Sequence, residues 1–187
     1  RWQREAGIDD SPEAFAADLM AKTHGTGDRA LVERLAAVSA PVVEWLVDDA
    51  GVALDLVTGF RYPGHSRERM HAPDDRAGTT LMRDLRRATD SRDGVEVVLD
   101  APATGLVVDD AGRVTGCLVS HGGRLERVRA GSVVLASNGF GANTAMIREH
   151  CPEIAEALYL GGEGSTGEAI VWGRELGAAT RFMDAYQ

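Results

Sequence analysis

The run Val133-Val134-Leu135-Ala136-Ser137-Asn138-Gly139-Phe140 constrains this chain more than any other stretch. A short β-branched run suits a strand buried on both faces, the pattern of a parallel sheet. The strand, placed at Ser132 to Ala136, ends abruptly in small residues. They have no bulk to hold a ligand off the backbone, and glycine permits a sharp turn. In open α/β sheets ligands sit beyond the carboxyl ends of the strands, where this break falls.

The neighbouring patterns give α/β with α+β character. Ser11-Pro12-Glu13 reads as a helix start, with Ser as N-cap, Pro at the first position and an acid in the first turn. A longer helix carries Leu31, Leu35, Val38, Val42, Trp45 and Leu46 at three- and four-residue steps. Pro41 should bend or split it. Gly51 closes that helix and a short strand runs from Val52 to Leu56. Gly59 to Arg76 reads as an irregular loop, and a loop of that length generally serves a site or packs under another segment. Gly78 to Asp90 is a helix with Leu81, Met82 and Leu85 inward, leading through Gly94 to a strand at Val95 to Leu99. Thr104 to Val108, Arg113 to Ser120 and Leu125 to Val128 form an antiparallel meander, because Asp109-Asp110-Ala111-Gly112 and His121-Gly122-Gly123 are turn sequences. Helices from Asn143 to Glu149 and from Gly167 to Leu176, a turn at Pro152, and a strand at Thr180 to Met183 complete the chain. The expected division is residues 1–60 as a helical segment with a short strand, 61–141 as part of a cofactor-binding domain holding the meander at 104–128, and 142–187 as the start of a second domain.

Composition excludes several function classes. The formal charge is −9, from 29 acidic against 20 basic residues, which disfavours nucleic acid and anionic membrane as partners. No stretch approaches the roughly 20 apolar residues of a membrane span. Cys117 and Cys151 lie far apart, too few and too distant for a disulfide framework or zinc site, so a reducing cytoplasm is expected. The opening Arg1-Trp2-Gln3-Arg4-Glu5 has neither an initiator Met nor an apolar signal core, and reads as the interior of a longer protein.

Gly162-Glu163-Gly164-Ser165-Thr166-Gly167 matches the G-x-G-x-x-G dinucleotide pattern, with Asp184 near the expected ribose-carboxylate distance. A Rossmann fingerprint needs a buried strand before the first glycine; Ile154 to Leu160 is short, carries Glu156 and follows Pro152, so the match stands alone. The same residues open a helix at Thr166-Gly167-Glu168, where free N–H groups favour an anion or acceptor. The bland alternative is that Thr166 caps the helix and Glu168 complements its dipole. His65 and His71 lack a third metal ligand and read as solvated loop residues; His24, His121 and His150 read as surface residues. Arg61, Arg67, Arg69 and Arg76 either clamp a carboxylate or simply solvate an exposed loop. No Ser, His and acid set supports nucleophilic hydrolysis.

In order, these pieces resemble the middle of the fumarate reductase/succinate dehydrogenase flavoprotein family, from about Ser11 to Gln187. The carriers are Val43-Glu44-Trp45-Leu46 before Gly51-Val52, then Gly78 with its helix, then Leu99-Asp100-Ala101-Pro102-Ala103-Thr104. Asp110-Ala111-Gly112-Arg113-Val114-Thr115-Gly116 and Val134 to Phe140 with Asn143 follow, and last Thr166-Gly167-Glu168-Ala169 with Leu176-Gly177-Ala178-Ala179. The resemblance implies a partial glutathione reductase-like FAD domain and the start of a mobile substrate-capping domain. It implies FAD as cofactor of the intact parent, with Ala103 near the adenine end, Ala136, Ser137, Asn138 and Gly139 along the dinucleotide, and Gly167 and Glu168 near the flavin. The reaction implied is hydride transfer between flavin and a carbon adjacent to a carbonyl or carboxylate, on a dicarboxylate or ketosteroid-like small molecule.

Two residues depart from the family pattern. Its turn is usually Ala-Thr-Gly-Gly, whereas Asn138 stands here at the third place; its helix opening is usually Thr-Gly-Asp-Gly, whereas Glu168 and Ala169 stand here. The family's glycine-rich βαβ unit would precede Arg1, and its substrate-binding His and proton-donating Arg would follow Gln187. This chain is therefore expected to carry no catalytic residue and no metal ligand, and to hold little FAD by itself. The rival expectation is a non-catalytic α/β binding or interaction module that self-associates through an exposed sheet edge.

Overall fold

A computed structural model describes residues Arg1–Tyr186. They form two units, Arg1–Val97 and Val98 onward, each with its own internal packing.

The first unit contains α1 (Trp2–Glu5), α2 (Pro12–Lys22), α3 (Arg29–Asp48), β1 (Asp55–Leu56), β2 (His71–Ala72) and α4 (Gly78–Asp90). Ser11 caps α2 as its sequence demands, its Oγ accepting from Ala14 N–H at 3.1 Å with Pro12 at the first helical position. Asp28 does the same for α3, accepting from the N–H groups of Ala30 and Leu31 at 3.1 and 3.2 Å. Pro41 does not split α3, which runs unbroken through it. Proline removes a single i→i−4 bond, and the ladder on either side carries the helix past it.

Much of the apolar stripe expected on α3 lies in the open, with Val38 and Leu46 half-buried. Leu31 is 66% exposed, and Leu35, Val42 and Trp45 are exposed too; the buried residue of α3 is Ala36. α2 packs on α3. Small side chains are what permit close approach of two helices, and Ala36 supplies one. In α4, Leu81 and Leu85 are half-buried as expected, but Met82 is not. Met82 is 62% exposed, while Asp84 is buried and accepts from Ala53 N–H at 3.4 Å. A buried carboxylate requires such partners, so it governs which face of α4 turns inward.

The stretch from Gly59 to Arg76 is not wholly irregular. It returns as β2, antiparallel to β1 with Asp55 opposite Ala72 and Leu56 opposite His71, and Val57 N–H donates to Met70 O at 2.8 Å. Val52, Leu54, Val57 and Ala72 form the buried core of this unit together with Ala36.

The second unit holds the meander β3 (Ala103–Val108), β4 (Val114–His121) and β5 (Arg124–Arg129), antiparallel in that order, within a residue of its expected bounds. Its first turn is set by Asp109, whose Oδ1 accepts from Ala111 and Arg113 N–H, both at 2.9 Å. Gly116, opposite Arg129, has φ +156°, and a Cβ there would lie 2.0 Å from the Val128 carbonyl oxygen, so the strands can approach this closely only over glycine. After it come α5 (Thr144–His150), a 3₁₀ turn (Pro152–Ile154) and α6 (Glu168–Glu175).

Three expected strands are not formed. Val95 to Leu99 and Ser132 to Ala136 run without a ladder partner among the described residues, with Val134 87% exposed, and Thr180 to Met183 is irregular. A β-branched run becomes a strand only when another strand satisfies its backbone groups. Both sheets of the described residues are antiparallel, and the architecture is α+β.

Candidate functional site

The segment from Ser132 to Gly139 is open peptide. No backbone N–H or C=O in it has a hydrogen-bond partner among the described residues. Ala136, Ser137 and Asn138 are exposed, and a Cβ added at Gly139 would meet nothing within 4 Å. Asn138 turns the chain with φ +65°, a left-handed conformation that Asn tolerates better than other non-glycine residues.

A second corner, Gly162 to Gly167, is fastened to the first. The Asn138 side-chain amide donates to Ser165 Oγ at 3.1 Å, and Ala142 N–H donates to the Ser165 carbonyl at 2.9 Å. Asn143 caps α5 by accepting from Met146 N–H at 3.1 Å, and its amide donates to the Thr166 carbonyl at 2.9 Å. Ser165 is only 4% exposed, so its hydroxyl requires a partner, and Asn138 supplies one. Gly167 opens α6 at φ +88°, packed so that a Cβ would lie 2.6 Å from Met146 Sδ and 3.0 Å from Phe140 Cβ. His150 also closes on this junction, its ring 5.6 Å from that of Phe140; it is half-buried rather than a surface residue.

Thr166 does not cap α6. The N-cap is Gly167, with no side-chain cap, and the Thr166 hydroxyl donates to Glu168 Oε1 instead. That bond, with the carboxylate's contact to its own backbone N–H, holds the Glu168 carboxyl below the usual range. A negative charge in the first turn of a helix is also favoured by the helix dipole. The N–H groups of Gly167 and Ala169 find no acceptor among the described residues. Among the expected site residues, Ala136, Ser137, Asn138, Gly139, Gly167 and Glu168 thus belong to two joined corners. Ala103 is elsewhere, opening β3 opposite Val119 and bonded to neither corner.

Other candidates resolve differently. The G-x-G-x-x-G pattern has no strand before Gly162, where a 3₁₀ turn and irregular chain stand, so it is not a Rossmann turn. Arg69 does clamp carboxylates, but the protein's own: Nε and Nη2 donate to Asp10 at 2.6 and 2.8 Å and Nη1 to Asp18 at 2.6 Å. His65 and His71 are half-buried rather than freely solvated; they stand edge-on to Phe15 and Trp2, at 5.5 and 5.1 Å. Among the described residues no group of three His, Cys, Asp or Glu could hold a metal.

Two corners of peptide, at Ala136 to Gly139 and Gly162 to Gly167, are thus hydrogen-bonded to one another in an α+β chain. A family model described as an FAD binding domain matches residues 2–187, and the chain belongs to that family, in its fumarate reductase/succinate dehydrogenase flavoprotein branch. It is similar to urocanate reductase of Eggerthella lenta, 30% identical over 180 residues that make up 95% of this chain and 30% of that protein. The open conformation of a flavocytochrome c3 fumarate reductase superposes with a TM-score of 0.85 at 31% identity, over 95% of this chain and 31% of that one. A 3-ketosteroid-Δ4-(5α)-dehydrogenase from Rhodococcus jostii RHA1 in complex with 4-androstene-3,17-dione superposes at 0.80 and 27% identity, over 96% and 43%. The chain therefore spans about a third of the length of such relatives. FAD is the cofactor this family implies for the intact protein. The residues present fit it: Gly139 faces open space, and the N–H groups of the peptide on either side of it have no partner among the described residues.

Proposed function

We propose that this chain is the portion of an FAD-dependent oxidoreductase that lays two backbone corners, Ala136 to Gly139 and Gly167 to Glu168, along the cofactor. The joining of those corners by Asn138, Ala142 and Asn143 is the observation that carries the reading. Free N–H groups at the first corner bind by main-chain contact, which small side chains leave accessible. Glu168, whose carboxylate accepts from the Thr166 hydroxyl, places negative charge at the start of α6. Ala103 approaches the adenine end, residues 61–141 belong to the FAD-binding domain, and residues 142–187 begin the capping domain. When bound, FAD exchanges a hydride with a substrate carbon adjacent to a carbonyl or carboxylate.

The substrate class is a small dicarboxylate or ketosteroid-like molecule, in keeping with the flavocytochrome c3 fumarate reductase and the ketosteroid dehydrogenase that the chain resembles. A cytoplasmic setting agrees with two free thiols, and no helix of the described residues is long and apolar enough to cross a membrane. The exposed, unpaired run around Val134 favours pairing with a further strand, so self-association is the expected behaviour of the 187-residue chain taken alone.

The test is anaerobic titration of the full-length gene product with FAD, followed by photoreduction and addition of fumarate or of 4-androstene-3,17-dione. A stoichiometric flavin spectrum and reoxidation by one of them supports the reading. A gene product that takes up no FAD sinks it.

A further inference from the structure

The reading above leaves Asn138 unexplained, because the family's turn usually has glycine at that place and a side chain beside bare peptide crowds the cofactor. In this structure the side chain does not point into open space. Its amide nitrogen lies 3.1 Å from Ser165 Oγ, 27 residues away, and Ser165 is among the most buried polar residues of the chain. Ser165 in turn belongs to the turn that presents Gly167: its N–H donates to Gly162 O at 3.0 Å and its carbonyl accepts from Ala142 N–H at 2.9 Å. We propose that Asn138 is a positioning residue for the flavin, acting through the Ser165 hydroxyl to hold the Gly162–Gly167 turn at a set distance from the Ala136–Gly139 corner. It rests on the FAD reading.

Three observations support it. The left-handed φ of +65° at Asn138 costs more than glycine would, so something at this position compensates for it. The bond to a buried hydroxyl is that compensation, since leaving Ser165 Oγ unpartnered would carry a desolvation cost. The Gly162–Gly167 turn has bonds of its own, but no backbone group of Ala136 to Gly139 is bonded among the described residues, so the Asn138 amide is the direct tie from this corner to the turn. A clasp at this point pre-forms the gap between the two corners and so lowers the ordering cost of cofactor binding.

The experiment uses the full-length gene product with Asn138→Gly, Ser165→Ala, the double variant and Asn138→Asp. Glycine relieves the backbone while removing the amide, so relief of strain and loss of the clasp act in opposite directions. Asp keeps the clasp, with the Ser165 hydroxyl donating to the carboxylate. Expected results are a rise in the FAD dissociation constant of roughly threefold to tenfold in each of the first two variants and no further rise in the double variant, while Asn138→Asp, which adds a negative charge beside an anionic cofactor, is judged on the clasp alone. Amide exchange at Ala142 and Ser165, followed without FAD, should quicken in the same two variants and recover with Asp. Wild-type, Asn138→Gly and Ser165→Ala proteins that bind FAD alike, or additive single effects with no recovery of amide exchange in Asn138→Asp, overturn the clasp while leaving the FAD reading intact. Failure of the wild-type protein to bind FAD overturns both, and is distinguished by the wild-type titration alone.

Discussion

Asn143 reaches the Thr166 carbonyl with its amide at 2.9 Å while its oxygen caps α5. One short side chain thus starts a helix and anchors the turn before another, 23 residues on. Asn143→Ala removes both bonds and should cost about 2 kcal/mol, a cap and a buried hydrogen bond at roughly 1 kcal/mol each. Asn143→Asp keeps the cap and loses the donor, so urea unfolding should place it between wild type and Ala.

Gly167 and Gly139 should respond oppositely to alanine. At Gly167 the left-handed φ and the 2.6 Å approach to Met146 Sδ predict a loss of roughly 2–4 kcal/mol. At Gly139 an added methyl meets nothing within 4 Å. Its stability should stay within about 0.5 kcal/mol of wild type, as for a surface substitution. Its FAD dissociation constant should rise, because the methyl stands where the cofactor would approach the bare peptide. Paired thermal melts and FAD titrations check both halves; a Gly139→Ala variant with unaltered affinity counts against cofactor contact at Gly139.

Acid stability should depend on Arg69. Burial pushes Asp18 up, but Ser66 N–H, Arg69 and the Ser66 hydroxyl outweigh it and hold the carboxyl down at about 2. Asp10 is lowered as well, with burial opposed by Arg69 and Gln3. Folded values below the unfolded ones mean stability that is present above about pH 4 and is lost as pH falls toward 2. Arg69→Met leaves two buried carboxylates without their cation and should cost about 3–5 kcal/mol. Its acid transition should move to higher pH, read by far-UV circular dichroism.

Thr166→Val removes the hydroxyl that Glu168 accepts from, so the Glu168 carboxyl should titrate higher, toward its usual range. The Glu168 contribution to stability, which is present at neutral pH and lost as pH falls through the folded value, should then be smaller than in wild type. Carbon-detected NMR titration of the Glu168 carboxyl measures the shift; an unmoved value denies the Thr166 bond its role.

What could be read from residue order alone is what neighbours within about four positions decide. Ser11 before Pro12 starts α2, Asp109 folds the first hairpin turn, Asn143 starts α5, and the Ala136–Gly139 break interrupts a β-branched run. These are local contests between a side chain and its own backbone, and sequence contains both contestants. The flavoprotein resemblance likewise came from ordered short motifs and is upheld by the family match over residues 2–187.

Contacts far along the chain were settled only by the fold. The stripe from Leu31 to Trp45 has helical spacing, but spacing gives a face and not its partner, and α2 took the Ala36 side. β2 formed inside an apparent loop because β1 offered it backbone partners. Arg69 could as well have met a ligand as Asp10 and Asp18, which sit 59 and 51 residues away. Asn138 and Ser165 announce nothing individually. Their hydrogen bond exists because the chain brings a left-handed corner against a buried hydroxyl, and burial, unlike capping, is a property of the whole fold.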